Sequence, residues 1–96
     1  MNSQQIANII TDQIRALDRS AFLYWGTRDM QVIDKGLCFK TSGLVRWKGF
    51  VSIVLNHNDF YDICFFKIRK HQKQVVKQLN DVFCGDLVEL IDAQVG

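Results

Sequence analysis

Proline is absent from the 96 residues, and with it the usual marker of linkers and kinked helices. No repeat or low-complexity tract takes its place, so a single domain over residues 1–96 is expected. Long apolar runs are missing too. Phe50 to Leu55 and Ile63 to Phe66 are the longest, well short of the roughly 20 residues a membrane-spanning helix needs, and no apolar stretch follows Met1. This excludes a membrane helix and points to a cytoplasmic protein with no membrane partner. Cysteine is sparse: Cys38, Cys64 and Cys84 are odd in number, widely spaced and flanked by apolar residues. Neither a disulfide framework nor a CxxC-type metal site is implied, and all three read as small buried hydrophobes. The chain also lacks a glycine-rich phosphate loop, GxSxG, HExxH and a calcium loop, so a non-enzymatic protein without a cofactor is expected.

Acid is scarce in the middle of the chain. Between Lys35 and Gln78 lie nine Lys or Arg against Asp59 and Asp62 alone, whereas the last 18 residues carry Asp81, Asp86, Glu89 and Asp92 and no cation. A basic centre hints at an anionic partner. The net charge of +2 argues against strong indiscriminate binding of nucleic acid by a monomer.

What is present is enough apolar material, 48% of residues, for a two-layer core. Ile6, Ile9, Ile10, Ile14 and Leu17 recur at three- and four-residue steps, which predicts an amphipathic helix over Ser3 to Arg19 with Ser3 as its N-cap. From Phe22 the composition becomes aromatic and β-branched with Gly, Asn and Asp between, predicting strands near 21–25, 29–33, 37–41, 48–55 and 61–68. The first two can form one strand bent at Gly26. Asp34-Lys35-Gly36 reads as a hairpin turn with the glycine at positive φ, and Asn56-His57-Asn58-Asp59 as an Asx-type turn. Beyond Arg69, Val75 or Val76, Leu79, Val82 or Phe83, Leu87, Leu90 and Ile91 form one stripe, predicting a long second helix from about Lys70 to Asp92, weakened at Gly85. The expected fold is α+β: an N-terminal helix, an antiparallel meander of three to five strands and a long C-terminal helix, both helices on one sheet face. In the last strand Tyr61, Ile63 and Phe65 alternate with Phe60, Cys64, Phe66 and Ile68. Both its faces are apolar, as in a doubly covered central strand or an oligomer interface.

Val51, Ile53, Leu55, Asn56, Asp59, Tyr61, Asp62, Phe65, Lys67 and Arg69 form a VxIxLNxxDxYDxxFxKxR segment. With the first helix and the aromatic strand upstream, it resembles small phage- and prophage-encoded proteins of unknown function. That resemblance implies a mobile-element origin and an intracellular role, and supplies no catalytic residue.

Three constellations remain. Asn56, Asp59 and Asp62 have oxygen atoms suited to Mg²⁺, the basis of a distant alternative, a metal-dependent phosphodiesterase. The same residues suit a turn, with Asp62 facing Lys67 or a cation of strand 48–55. Cys64 and His71 make a Cys-His pair on paper, but a thiol amid Ile63, Phe65 and Phe66 is expected to be inert. The strongest charge feature is Lys67, Arg69, Lys70, Lys73 and Lys77, with Arg46-Trp47-Lys48 as a second basic element holding an aromatic. Lys70, Lys73 and Lys77 also fit one solvated helix stripe, although cations in a first helical turn oppose the macrodipole. Trp47 could equally stack a base or anchor a protein contact, while folding back as a lid over the meander is the commonest outcome for such a residue. The leading expectation is a binding protein of mobile-element type that meets a protein partner or itself. The alternative is nucleic-acid binding through residues 46–48 and 67–77.

Overall fold

The computed structural model describes residues 1–42 and 47–96. Helix α1, Ser3–Leu17, opens on a capping box one residue earlier than expected: Asn2 Oδ1 accepts the Gln5 N–H at 2.8 Å, and Gln5 Oε1 accepts the Asn2 N–H at 3.0 Å. Ser3, freed from capping, accepts the Lys35 backbone N–H at 2.9 Å and ties the helix start to a hairpin turn. Ile6, Ala7, Ile10 and Ile14 form the buried face, while Ile9 and Leu17 lie outside it.

Residues 21–25 are a short helix, α2 (Ala21–Trp25), and not the expected strand. Asp18 Oδ1 accepts the Ser20 N–H and turns the chain, and Gly26 in the left-handed region (φ 64°) ends the helix. The aromatic composition suggested a strand, but helical spacing puts Ala21 and Trp25 on one buried face. Trp25 stacks on Phe39 with centroids 6.2 Å apart, and its indole N–H donates to Asp92 Oδ1 at 3.1 Å.

Five antiparallel strands follow in chain order: β1 (Thr27–Ile33), β2 (Gly36–Ser42), β3 (Lys48–Leu55), β4 (Tyr61–Arg69) and β5 (Gln72–Val82). At the first turn Lys35, and not Gly36, takes positive φ (57°). Gly36 is needed for close approach, since a side chain there would collide with the Ile53 carbonyl. Asn56 Oδ1 accepts the N–H groups of Asn58 and Phe60 in the β3–β4 turn, with Asp59 at φ 63°.

The long second helix is the largest correction. Gln72 to Val82 is a strand paired with β4, followed by a 3₁₀ turn (Cys84–Asp86) and α3, Leu87–Val95. Two irregularities in the β4–β5 register place Val76 and then Asn80-Asp81 out of alternation. A bulge turns a two-residue step into a three-residue one, so Leu79 and Val82 mimic a helical stripe. The cations that would have opposed a helix dipole lie on a hairpin, where there is no helix dipole to oppose.

All three helices cover the same sheet face. Leu37, Phe39, Val51, Ile53, Ile63 and Phe65 meet Ile6, Ile10, Ile14, Leu87, Ile91 and Val95 in one core. Among the described residues no helix is long and apolar enough to cross a membrane.

Candidate functional site

Strand alternation sends every second side chain of this sheet to the face without helices. The register sets out its rows: Lys40, Phe50, Phe66 and Val75 side by side across β2 to β5, then Cys38, Ser52, Cys64 and Gln78. Toward the β4–β5 turn lie Lys48, Ile68 and Lys73; toward the opposite end lie Val54 and Asp62. The double apolar character of β4 thus comes from one helix-covered face and one open face.

The Phe50 and Phe66 rings stack at 5.1 Å and 7°. A lysine closes the row on each side: Lys40 Nζ is 5.3 Å from the Phe50 centroid and Lys73 Nζ 4.4 Å from that of Phe66. Under this cover Phe66 is only 8% exposed, while Ile68 at 53% and Val75 at 57% stand open. A depression of about 440 Å³ runs over Lys40, Lys48, Gly49, Phe50 and Ile68. Lys40 also pairs with Asp29 at 3.4 Å, an acid that the bulge at φ 53° displaces from the β1 alternation.

Small side chains floor the middle row. Cys38 and Cys64 flank Ser52 on alternate strands, so their backbones are roughly 10 Å apart, too far for a disulfide. Burial pushes the Cys38 thiol up, Lys73 opposes that and Cys64 reinforces it; the protonated form prevails at neutral pH.

The expected basic patch is divided. Lys48 and Lys73 share the open face with Lys40, whereas Lys67, Arg69 and Lys77 follow the parity of Phe65 on the helix side. Lys70 and His71 form the hairpin tip itself, so Lys70, Lys73 and Lys77 share no helix stripe. Arg46 lies outside the described residues. Trp47 folds back: its ring meets Phe65 edge-on at 6.0 Å and fills the space over Gly49. Its backbone N–H donates to the Val95 carbonyl at 3.1 Å, and Lys67 Nζ lies 5.9 Å from the ring centroid. Lys40, Phe50, Phe66, Ile68 and Val75, which sequence reasoning did not single out as a site, make up the open patch. The apolar parity of Phe66 and Ile68 was the signal that pointed there.

The Asx cluster does structural work. Asn56 Nδ2 donates to Asp62 Oδ1 at 3.1 Å and to Asp81 Oδ1 at 2.8 Å, and the Asp81 N–H donates to Asp62 Oδ1 at 3.1 Å, closing the Asp81 bulge (φ 54°). Asp62 therefore faces Val54 and Asp81 in place of the expected cation. Among the described residues no group of three or more His, Cys, Asp or Glu is placed to hold a metal. Cys64 and His71 sit seven residues apart along one extended hairpin strand, roughly 20 Å, out of reach of each other.

Charge separates along the strands and their turns. Among the described residues of the sheet, Arg28, Lys40, Lys48, Lys67, Arg69, Lys70 and Lys73 gather at the β4–β5 turn end with Asp29, and Asp34, Asp59, Asp62 and Asp81 gather at the other with Lys35, while α3 adds Asp92 to the cationic end through its bond to Trp25. No protein-family profile matches the chain, and comparison with curated proteins and with solved structures finds no match.

Proposed function

We propose that this chain is a non-enzymatic binding protein that acts through self-association, with the helix-free sheet face as its contact surface and a second copy as its occupant. The observation that carries the reading is one face holding an apolar centre, cations at one end and acids at the other. A two-fold axis lying across the strands sets the Lys48 and Lys73 end of one copy over the Asp62 and Asp81 end of the other. An axis along the strands would set cations over cations. Five strands at about 4.8 Å and seven residues at about 3.3 Å give a face of roughly 24 by 23 Å, about 550 Å², just above the roughly 500 Å² per partner that a specific interface needs. Sheets packed face to face in this way bury Phe50, Ile68 and Val75 from water.

Asn56, Asp62 and Asp81 are engaged in a turn and a bulge and Cys64 is buried at the sheet centre, which supports a binding role over catalysis. Sedimentation equilibrium tests it: the wild-type chain should form dimers, and Ile68→Lys combined with Val75→Lys should sediment as a monomer with an unchanged melting temperature. Wild-type protein that stays monomeric at millimolar concentration would overturn the proposal.

A further inference from the structure

The β4–β5 hairpin tip makes a second surface, which extends beyond the open face and shares Lys73 with it. The last β3–β4 pair joins Phe50 to Phe66, so Arg69 to Gln72 stand beyond the neighbouring strand. Lys67, Arg69, Lys70, Lys73 and Lys77 crowd this hairpin with no acid between Asp62 and Asp81. None of the five is in an ion pair among the described residues.

The two turn residues, Lys70 and His71, both take left-handed backbone, φ 52° and 63°. That is the type I′ pattern, for which Asn-Gly is the comfortable sequence. Histidine enters this region more readily than most residues, but Lys70 has no such preference, so its side chain and not the turn accounts for it.

We infer that this tip binds the phosphate backbone of a nucleic-acid duplex. Lys67 and Arg69 project to the helix side, Lys73 to the open side, and Lys70 with His71 to the apex. A two-stranded ribbon end with cations on both faces fits a major groove about 12 Å wide and reaches phosphates on both walls. Duplex is favoured over single strand because the nearby rings already have their faces occupied. Phe50 and Phe66 stack on each other, Lys73 lies over Phe66, and Lys67 lies over Trp47. No ring among these offers the free face that a splayed base needs for stacking. The net charge of +2 does not oppose this, because the acids that flank the β3–β4 turn and the β5 bulge, Asp59, Asp62 and Asp81, lie at the other end of the sheet from the tip.

Fluorescence anisotropy with a labelled DNA duplex and a single strand of equal length, titrated with salt, is the test. Four to five phosphate contacts give a slope of log K against log salt of about −4, a loss on the order of 200-fold between 50 and 200 mM. Lys70→Gln and Arg69→Gln should each flatten the slope by about one, equally on unrelated sequences. Lys35→Gln, at the other end of the sheet, should leave it unchanged. The inference is overturned by no duplex binding at low salt, by slopes that ignore Lys70 and Arg69, or by tighter binding of the single strand.

Discussion

Replacing Lys70 with Asn and His71 with Gly keeps the hairpin turn and removes the lysine charge at its apex. Both wild-type residues lie in the left-handed region, where a side chain bearing Cβ is disfavoured by roughly 1 to 2 kcal/mol. Asn tolerates that region and Gly occupies it freely, so relief on the order of 2 kcal/mol is available. Against this, glycine adds unfolded-state freedom worth roughly 0.5 to 1 kcal/mol. The net expectation is a gain of about 1 kcal/mol, or some 4 to 8 °C in melting temperature for a chain of this size. Duplex affinity should fall at the same time, so stability and binding move in opposite directions. Thermal unfolding by circular dichroism reads the first effect and anisotropy the second. Lys70→Ala is the informative control: it removes the same charge without relieving the backbone, so it should weaken binding and leave the melting temperature nearly unmoved. A double variant no more stable than the wild type would refute the view that the tip is a strained turn retained for its side chains.

Ile10 is fully buried between α1 and the sheet, and Ile10→Ala should cost about 2 to 5 kcal/mol in urea unfolding; a loss under about 1 kcal/mol would mean the helix layer packs loosely. Gly36→Ala should destabilise through collision with the Ile53 carbonyl even though Gly36 is not at positive φ, and unaltered stability would show that β2 and β3 can separate there at little cost. Burial, reinforced by Cys84, pushes the Tyr61 phenol above its ordinary value near 10. The folded state then holds a proton that the unfolded chain releases, so stability should decline as pH rises through about 10 and beyond. Tyr61→Phe should flatten that decline, and an identical pH dependence in the variant would remove Tyr61 as its source.

How much was legible follows from which elements keep their period. β3 was placed at its observed bounds and β4 to within one residue, because Val51, Ile53, Tyr61, Ile63 and Phe65 alternate without interruption and Asn56 marks the turn between them. α1 was legible from Ile6, Ile10 and Ile14, though its cap fell one residue early because Asn2 competes with Ser3 for the role. β5 was not legible, since the Val76 and Asp81 bulges give it the spacing of a helix. α2 was hidden because its aromatic composition reads as a strand, while its helical form is fixed by the Asp18 turn, the Gly26 cap and the packing of Trp25 on Phe39 and Asp92. For the site, the basic residues were legible as a set, but which face each occupies depends on register. Lys40 was passed over because nothing in its local sequence says that the β2–β3 pairing will set it beside the Phe50 ring.

Mixing charge-reversed variants probes the open face most directly. Lys73→Glu places an acid at the cationic end of β5, opposite Asp81 of a second copy, and Asp81→Lys places a cation opposite Lys73, so each alone should impair self-association across a two-fold axis. Combined in equal amounts, the glutamate introduced in one chain meets the lysine introduced in the other, while the second contact keeps the native Lys73 and Asp81. Sedimentation equilibrium should then show a mixed dimer where the separate proteins are monomeric. A mixture no more associated than its components, with wild-type protein dimeric, would place the contact elsewhere on the molecule; monomeric wild type would contradict self-association altogether.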